Sequence, residues 1–347
     1  MTVRASKPSL NLREALSELN KPSGVAGEAM LRAETPQEQF NLIGAGRKNI
    51  LVNGDFQVSQ RGDYSSATVT ADGTYRLDRW YLGTNNNNST VQRTTVAVSD
   101  SPESQYAQKC VAGSTATSYL GIRQKVENPA RYAGKTVTYS GWVRSNHTGA
   151  RLTMYVTSPA TIVTSNTHSG NGSWEKLSVT VKLPDAMSGT WYVDVHISSA
   201  SVGNTSITAS DYFEAADLQL ELGSVATPFE HRSYGEELAL CQRYFCKSYS
   251  DDTYPPTNTA NGCEVLYSDG TTSYHGGYRF PVSMRVQPSI SLWTKNGNAN
   301  QAQLNFTSGS YVDISVYAPS HKSFNVYQST AGTVGIYAFH YTADAEL

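Results

Sequence analysis

From residue 49 to residue 347 the sequence is a succession of short segments in which apolar and polar residues alternate. Alternation of this kind places successive side chains on opposite faces of a strand, so it is typical of a strand with one buried face. Turn-forming residues such as Asn171-Gly172-Ser173 and Pro184-Asp185 separate the segments. Many short antiparallel strands favour a β-sandwich or jelly roll. The predicted strands are 135–144, 151–156, 176–181, 190–197, 216–222, 263–267, 277–280, 289–293, 311–317, 323–327 and 335–341.

Residues 1–48 carry a helical pattern instead and contain no Trp or Tyr. The second of two short helices begins at the capping box Thr35-Pro36-Gln37-Glu38. Helices this short are marginal alone in water, so we expect the segment to anchor on its own body, a symmetry mate or a larger assembly. A tail without fixed structure is the alternative. The apolar residues available for anchoring are Leu12, Leu16, Leu19, Phe40, Leu42 and Ile43.

A third helix is predicted over residues 233–247, where Ser233-Tyr234-Gly235-Glu236 forms another capping box. Leu238, Cys241 and Phe245 lie on one face of this helix. We therefore predict a mainly β protein with two β-sandwich or jelly-roll domains, a short helical N-terminal anchor and a short linking helix. The predicted boundaries are 1–48, 49–232, 233–247 and 248–347.

The charge balance limits the partners of the chain. With 27 Lys and Arg against 29 Asp and Glu, the net charge is −2, so there is no basic excess to neutralise phosphates and we expect no nucleic-acid binding. No apolar run approaches the roughly 18 residues of a membrane span, so we expect no membrane insertion. The first residues show no apolar stretch typical of a secretory signal, which predicts assembly in a cytoplasm.

The motifs of common enzymes are missing from the sequence, which has no HExxH, GxSxG, P-loop or Rossmann fingerprint. The four cysteines form no CxxC pair, so we expect neither zinc nor a disulfide framework. Asp194, Asp211, Glu214 and Asp217 lie near one another in the sequence but are explained as acids of strand edges and turns. We expect no catalytic activity.

Four segments of the first β domain resemble jelly-roll carbohydrate-binding modules. Asn49-Ile50-Leu51-Val52-Asn53-Gly54-Asp55-Phe56 is similar to their opening strand, and Ser140-Gly141-Trp142-Val143-Arg144 is similar to a central strand. The segment 173–180 and the aromatic, Asp-bearing segment 212–220 are similar to later strands. The resemblance covers about 180 residues and implies a jelly-roll fold with aromatic rings that stack on sugars.

This resemblance implies two kinds of site. The aromatic candidates for sugar contact are Trp80, Tyr81, Trp174, Trp191 and Tyr192, and burial in the sandwich core is the alternative for each Trp. Adjacent strand residues face opposite ways, so we expect one of Trp191 and Tyr192 to be buried, and we expect Trp142 in the sandwich core. The resemblance further implies a structural calcium ion held by Asp55 and Asp217, with help from Asn53; turn capping or pairing with Arg is the alternative role of these acids.

A second set of motifs resembles bacteriophage tail-fibre and other appendage proteins. It comprises the segments 57–62, 75–80, 219–232, 234–245, 280–285 and 341–347. The resemblance implies a virion structural protein, assembled in the host bacterium, that contacts other virion proteins through residues 1–48 and forms a homotrimer. It covers nearly the whole chain after residue 48.

Tyrosines are dense in residues 248–347 and allow two interpretations. They contact a host receptor, or they form interfaces between fibre subunits, because Tyr provides large contact area at low entropic cost. The candidates are Tyr254, Tyr267, Tyr274, Tyr278, Tyr311, Tyr317 and Tyr327.

The sequence therefore predicts a non-enzymatic tail fibre or receptor-binding appendage that binds host-surface polysaccharide. A capsid-decorating head fibre or a cement protein without a ligand is the alternative, and a polysaccharide depolymerase is a more distant one.

Overall fold

The computed structural model describes residues 48–85, 88–113, 119–197, 206–306 and 309–347. The predicted anchoring residues Leu12, Leu16, Leu19, Phe40, Leu42 and Ile43 lie outside the described residues. No helix in the described part is long and apolar enough to cross a membrane.

The described chain forms two β units joined by one α-helix. The first unit contains β1 (Thr68–Val69), β2 (Tyr81–Thr84), β3 (Thr90–Thr95), β4 (Tyr106–Val111), β5 (Leu120–Val126), a 3₁₀ helix (Pro129–Tyr132), β6 (Thr136–Ser145), β7 (Ala150–Thr157), β8 (Ala160–Thr164), β9 (Trp174–Lys182), β10 (Trp191–Ile197) and β11 (Tyr212–Leu222). Then follow α1 (Tyr234–Gln242), β12 (Phe245–Lys247), β13 (Glu264–Ser268), β14 (Ser273–Arg279), β15 (Ser289–Trp293), β16 (Gln301–Leu304), β17 (Tyr311–Tyr317), β18 (Ser323–Gln328) and β19 (Gly335–Asp344).

The first unit is a sandwich of two antiparallel sheets. One has six strands in the order β1-β3-β4-β11-β6-β9, and the other has five in the order β2-β5-β10-β7-β8. Alternate residues of each strand fill the space between the sheets, for example Val193 and Val195 of β10 and Val137 and Tyr139 of β6, all fully buried. The predicted mainly β fold with β-sandwich sheets is confirmed.

The second unit is built around β19. Eight strands form one hydrogen-bonded sheet in the order β12-β19-β16-β17-β18-β14, and β13 and β15 also pair with β19. Its own core is aromatic: Phe324 packs against Tyr278, Phe280 and Tyr341 at centroid distances of 5.0 to 5.7 Å. The long β19 contributes Tyr337, Phe339 and Tyr341 to the same core.

The predicted opening strand over residues 49–56 is wrong. The segment consists of bends and turns, and Asn53 and Phe56 have left-handed φ angles of 59° and 55°. Two backbone hydrogen bonds, from Ile50 N–H to Leu220 O and from Leu218 N–H to Gly54 O, join the segment to β11. Side chains add to them: Asn49 Nδ2 donates to Leu218 O at 3.0 Å, and Asn53 Nδ2 donates to Val58 O at 2.9 Å. The local pair of hydrogen bonds between the Asn53 amide and the backbone of Val58 competes with strand pairing and favours the turn.

The linking helix is shorter than predicted. The capping box of Ser233 and Glu236 is present, but α1 ends at Gln242 and residues 245–247 form β12. Phe245 pairs with Asp344, and Lys247 pairs with Thr342, on the edge of β19. Pairing with a strand a hundred residues away overrides the helical pattern at this point.

A buried ion-pair network joins the two β units. Arg79 NH1 pairs with Glu346, and Arg61 NH2 lies 2.9 Å from Asp344 and 3.5 Å from Glu346. Arg61 NH1 also lies 3.6 Å from Asp78. The guanidinium of Arg79 packs 3.6 Å from the ring centre of Tyr244, and that of Arg61 packs 3.8 Å from the ring centre of Phe245.

Hydrogen bonds to backbone oxygens surround the network. Lys125 Nζ donates to Leu347 O at 2.7 Å, and Gln60 Nε2 donates to Phe245 O at 2.7 Å. Arg285 donates from Nε to Ala345 O and from NH2 to Glu346 O. Residues 344–347 are therefore held between the sandwich and the second unit.

Replacing Glu346 with Gln tests the network. The variant leaves the guanidinium of Arg79, whose side chain is only 2% exposed, without its anionic partner. We expect the free energy of unfolding, measured by urea titration, to fall by about 3 kcal/mol.

Asp185→Asn is the matched control, because Asp185 pairs with Lys182 where both side chains are largely exposed. Its effect should stay within about 0.5 kcal/mol. Equal, small effects of both variants would contradict a stabilising role for the network.

Candidate functional site

The outer face of the five-stranded sheet carries Tyr81, Tyr119, Tyr155 and Tyr192, which we call the tyrosine face. Strand alternation produces it: Trp191 and Val193 point into the core, so Tyr192 and Asp194 point outward. Register brings the outward residues together, since Tyr192 lies opposite Tyr155 and Asp194 lies opposite Arg123. On the other side of β5, Tyr81 of β2 lies opposite Arg123.

Arg123 and Asp194 form a charged pair among these rings. Arg123 Nε donates to Asp194 Oδ2 at 2.9 Å, and the Tyr119 hydroxyl donates to the same oxygen at 3.2 Å. The guanidinium packs 4.5 Å from the ring centre of Tyr119 and 5.0 Å from that of Tyr192. The second carboxylate oxygen, Asp194 Oδ1, is buried and has no hydrogen-bond partner.

Burial controls the protonation of Asp194, which is 3% exposed. Loss of solvent raises the pKa of its carboxyl to about 6, and the charge of Arg123 partly offsets this. A buried carboxylate with an unpaired oxygen is energetically unfavourable unless a further donor completes it. The arrangement therefore leaves one buried hydrogen-bond acceptor without a donor beneath the tyrosine face.

Two glycines shape one end of the face. Gly83 and Gly121 lie opposite each other, and the ring of Tyr119 lies over both. A Cβ at Gly83 would approach Tyr119 Cε1 to 2.6 Å, and one at Gly121 would approach the Tyr119 hydroxyl to 2.7 Å. At the other end, the rings of Tyr155 and Tyr192 lie 4.8 Å apart and are half-buried. The open part of the face is therefore at Tyr155, Tyr192 and Tyr81.

The prediction of sugar contact is wrong for two of the five aromatic candidates, Trp80 and Trp191. Both are fully buried in the sandwich core. Trp80 donates from Nε1 to Asn53 O at 2.9 Å and packs against Phe56, and Trp191 packs against Tyr132. Their large apolar rings fill the space between the sheets and offer no surface to a ligand.

Tyr81, Tyr192 and Trp174 do reach outer surfaces, but not the same one. Tyr81 and Tyr192 share the tyrosine face, whereas Trp174 lies on the outer face of the six-stranded sheet. There Trp174 Nε1 donates to Asp100 Oδ2 at 3.1 Å, and the guanidinium of Arg144 packs 4.7 Å from its ring centre.

Trp142 is also on that outer face, contrary to its predicted core position. It is half-buried beside Trp174 in a small cluster with Val96, Ala107 and Ala216. The alternation of β6 contained the signal, because Val137, Tyr139 and Val143 fill the core while Trp142 shares its parity with polar residues. The two adjacent residues, Gly141 and Val143, suggested a core position for Trp142. The alternation over the whole of β6 shows that it points outward.

Trp142 and Phe229 line a cleft of about 160 Å³ on the six-stranded sheet. Its polar lining includes Lys176, Asp217 and Gln219. A bulge in β11 between Ala216 and Gln219, where Asp217 has a φ of 51°, shapes this cleft.

Asp55 and Asp217, predicted to hold calcium, are both bound by protein donors. Asp217 accepts hydrogen bonds from the backbone N–H groups of Glu103 and Ser104 at 2.8 and 3.1 Å. Asp55 accepts one from Gln57 Nε2 at 2.8 Å. In the described ranges no group of three or more His, Cys, Asp or Glu is placed to hold a metal. The calcium site stays a prediction.

The candidate tyrosines of the second unit fall into three sets: exposed, half-buried and buried. Tyr274 and Tyr267 are 64% and 61% exposed, and the ring of Tyr274 lies 4.7 Å from those of Tyr317 and Tyr327. Tyr254 and Tyr311 are half-buried. The prediction that Tyr278 contacts a receptor or a sister subunit is wrong, because this residue is buried against Phe324 and Phe339.

One side-chain constellation was not anticipated from the sequence. Cys263 Sγ lies 3.2 Å from His340 Nε2, and His340 Nδ1 lies 2.9 Å from the Ser248 hydroxyl. Burial raises the pKa of the Cys263 thiol to about 11 and lowers that of His340. The thiol is therefore held protonated, which is the opposite of what a nucleophilic cysteine requires.

Neither a protein-family model nor a curated protein sequence matches the chain. Solved structures that resemble it include the enzymatically active domain of tailspike protein 4 from bacteriophage CBA120, with 11% identity over 50% of this chain and 21% of that one, and a TM-score of 0.34. They also include the CBM22-1 and GH10 modules of a Clostridium thermocellum xylanase, with 13% identity over 52% of this chain and 29% of that one, and a TM-score of 0.32.

A third similar structure is the CBM22-1 xylan-binding domain from Paenibacillus barcinonensis, with 15% identity over 49% of this chain, all of that one, and a TM-score of 0.30. The matched region thus spans about a fifth of the length of the tailspike chain and under a third of the length of the xylanase chain. The strand order of the sandwich, rather than these scores, establishes the fold.

Replacing Asp55 with Asn tests the role of this acid. Burial, and then the charge of Glu237, raises the pKa of Asp55 from 3.8 to about 6. Because the folded pKa lies above the unfolded one, the ionised form destabilises the fold above about pH 6, and this loss is recovered as the pH falls through the window from about 6 to 3.8. We expect the free energy of unfolding of the variant to be about 1 kcal/mol higher than that of the wild type near pH 7.5. Near pH 4 the two free energies of unfolding should be nearly equal.

Calcium chloride provides the control in the same urea titrations. If Asp55 holds calcium, the ion will stabilise the wild type and not the variant, and the variant will be the less stable protein in its presence. That result would establish the calcium site and overturn the interpretation of Asp55 as a desolvated, unfavourable charge.

Proposed function

We propose that this protein is a glycan-binding structural protein that binds sugar on the tyrosine face of its β-sandwich. The observation that carries the proposal is Asp194, whose buried Oδ1 has no partner although aromatic rings and a guanidinium surround it. Sugars combine apolar ring faces with hydroxyl donors, so their chemistry matches both the rings and the unsatisfied acceptor.

The proposed binding mode follows from the geometry of the face. The half-buried rings of Tyr155 and Tyr192 offer apolar surface to the C–H groups of a pyranose. A sugar hydroxyl donates to Asp194 Oδ1, and Arg123 holds the carboxylate in place through Oδ2. Completing the buried acceptor makes this hydrogen bond specific, because a ligand without a hydroxyl there leaves the oxygen unpaired.

We propose binding without catalysis. Glycoside hydrolysis uses two carboxyl groups that flank one bond. Asp194 is the one carboxylate that the described strands place on the tyrosine face, and Arg123 pairs with it. A polysaccharide depolymerase remains the alternative enzyme, and release of reducing sugar from a bound polysaccharide would establish it.

We further propose that the glycan-binding unit belongs to a bacteriophage appendage located in the virion. The phage-like segments of the sequence support this role, in which residues 1–48 contact other virion proteins and the chain forms a trimer. The exposed rings of Tyr267, Tyr274 and Tyr317 are surfaces for sister subunits or for a receptor. A capsid-decorating head fibre or a cement protein is the second candidate, and electron microscopy of labelled particles distinguishes it from a tail fibre.

Replacing Tyr192 with Ala tests the binding face. The ring supplies stacking surface beside Asp194, so we expect about a tenfold loss of affinity for the glycan selected from an array of bacterial surface polysaccharides. Isothermal titration measures the affinity, and circular dichroism checks that the variant is folded.

Trp174→Ala is the matched control, because Trp174 is an equally half-buried ring on the opposite sheet. It should retain wild-type affinity. If Trp174→Ala loses binding and Tyr192→Ala does not, the glycan occupies the six-stranded sheet and the assignment to the tyrosine face is wrong. A protein that binds no glycan favours the cement role.

Deleting residues 2–47 tests the anchoring role. The deletion retains Lys48, whose backbone N–H donates to Glu230 at 2.7 Å and whose Nζ donates to Thr227 at 2.9 Å, so the sandwich keeps these contacts. We expect the truncated protein to unfold at the same temperature as the full chain but to be absent from purified virions. Normal incorporation of the truncated protein would contradict the anchor.

A further inference from the structure

A second feature of the sandwich is a pocket of about 180 Å³ beside the end of β5. Strand β2 pairs with β5 only as far as Arg123, so the last residues of β5 have no neighbouring β2 residue. The pocket forms in this gap, between the 3₁₀ helix Pro129–Tyr132 and Tyr244 of the domain junction.

The charged lining of the pocket is mostly cationic. Arg79, Lys125 and Arg131 line it, against a single carboxylate from Glu127. Arg243 NH2 donates to Glu127 Oε1 at 2.6 Å, and the Tyr244 hydroxyl donates to Oε2 at 2.8 Å, so this carboxylate is already paired. Lys125 Nζ already donates to Leu347 O at 2.7 Å, whereas no ion pair joins Arg131 to an Asp or Glu of the described residues.

Arg79, which lines the pocket, has an incompletely paired guanidinium. Its guanidinium pairs with Glu346 through NH1 and donates to Lys125 O through NH2 at 3.0 Å. Its Nε is buried and has no hydrogen-bond partner. A buried guanidinium with an unpaired N–H is a group that an anion satisfies with a strong, charge-assisted hydrogen bond.

The pocket adjoins the tyrosine face through Lys125. Its Nζ lies 5.8 Å from the ring centre of Tyr81, and Lys125 lies opposite Tyr192 in the sheet. Lys125 is therefore shared between the tyrosine face and the lining of the pocket, whose volume suits one small substituent.

We infer that this pocket binds an anionic substituent of the glycan, a carboxylate or a phosphate, so that the preferred ligand is an acidic polysaccharide. This inference rests on the proposed function, because it assigns the charge class of the same ligand. Arg131, on the exposed side of the pocket, is the specificity-determining residue that can be changed without disturbing the junction.

Matched oligosaccharide pairs test the inference. One pair is an oligogalacturonide and its carboxyl-reduced counterpart, and the other is a phosphorylated mannan oligosaccharide before and after phosphatase treatment. We expect the wild type to bind the charged member of one pair at least about tenfold more tightly than the neutral member at low salt. The pair that shows the difference identifies the anion as carboxylate or phosphate.

Arg131→Gln should lose most of that preference and keep the wild-type affinity for the neutral member. Arg279→Gln is the control, since Arg279 is exposed on β14 in the other unit. The preference of the wild type should also shrink in about 0.5 M salt, because exposed charges are screened.

Equal affinity for both members of each pair, or a preference that survives Arg131→Gln, overturns the inference but leaves glycan binding intact. A wild-type protein that binds none of the four oligosaccharides also overturns it for these anions. The glycan array with Tyr192→Ala then decides the proposed function separately, because that experiment does not depend on the charge of the ligand.

Discussion

The buried guanidinium of Arg79 is the contact on which the arrangement of the two β units depends. It pairs with Glu346, packs on Tyr244 and donates to the backbone of β5, so it joins residue 346, the junction and the five-stranded sheet. Desolvating a guanidinium is costly, and the loss is offset only if nearly all its donors are satisfied. The unpaired, buried Nε therefore lowers the stability of the free protein, and it is one of the observations on which the proposed anion site rests.

Strand alternation determines which aromatic residues can act outside the core. In β10 it separates Trp191 from Tyr192, as the sequence predicts, and it places Asp194 beside Tyr192. The same rule identifies Trp142 as an outward residue once the whole of β6 is considered rather than its two neighbours. Trp80 could not be assigned in this way, because it precedes β2 in a turn where alternation carries no information.

Long-range pairing limits what the sequence alone can show. The strands with strong alternation, such as β6, β9, β10 and β19, were predicted within a few residues of their observed bounds. Strand β12 was missed because Phe245, Cys246 and Lys247 continue the pattern of α1 and become a strand only through the edge of β19. The turn at 49–56 was missed because its amide side chains, which hydrogen-bond to residues up to 171 positions away, supplement the two backbone hydrogen bonds that join it to β11.

The tyrosine face and the cationic pocket share one physical property, which is an incompletely satisfied buried polar group. Asp194 Oδ1 lacks a donor on the tyrosine face, and Arg79 Nε lacks an acceptor beside the pocket. One group accepts and the other donates, and Lys125 lies between the two sites. In the binding mode that we propose, a neutral sugar satisfies only the acceptor, whereas an acidic sugar chain supplies a hydroxyl to Asp194 and an anion to the pocket. Because both groups reduce the stability of the free protein, an acidic ligand recovers more of that stability than a neutral one.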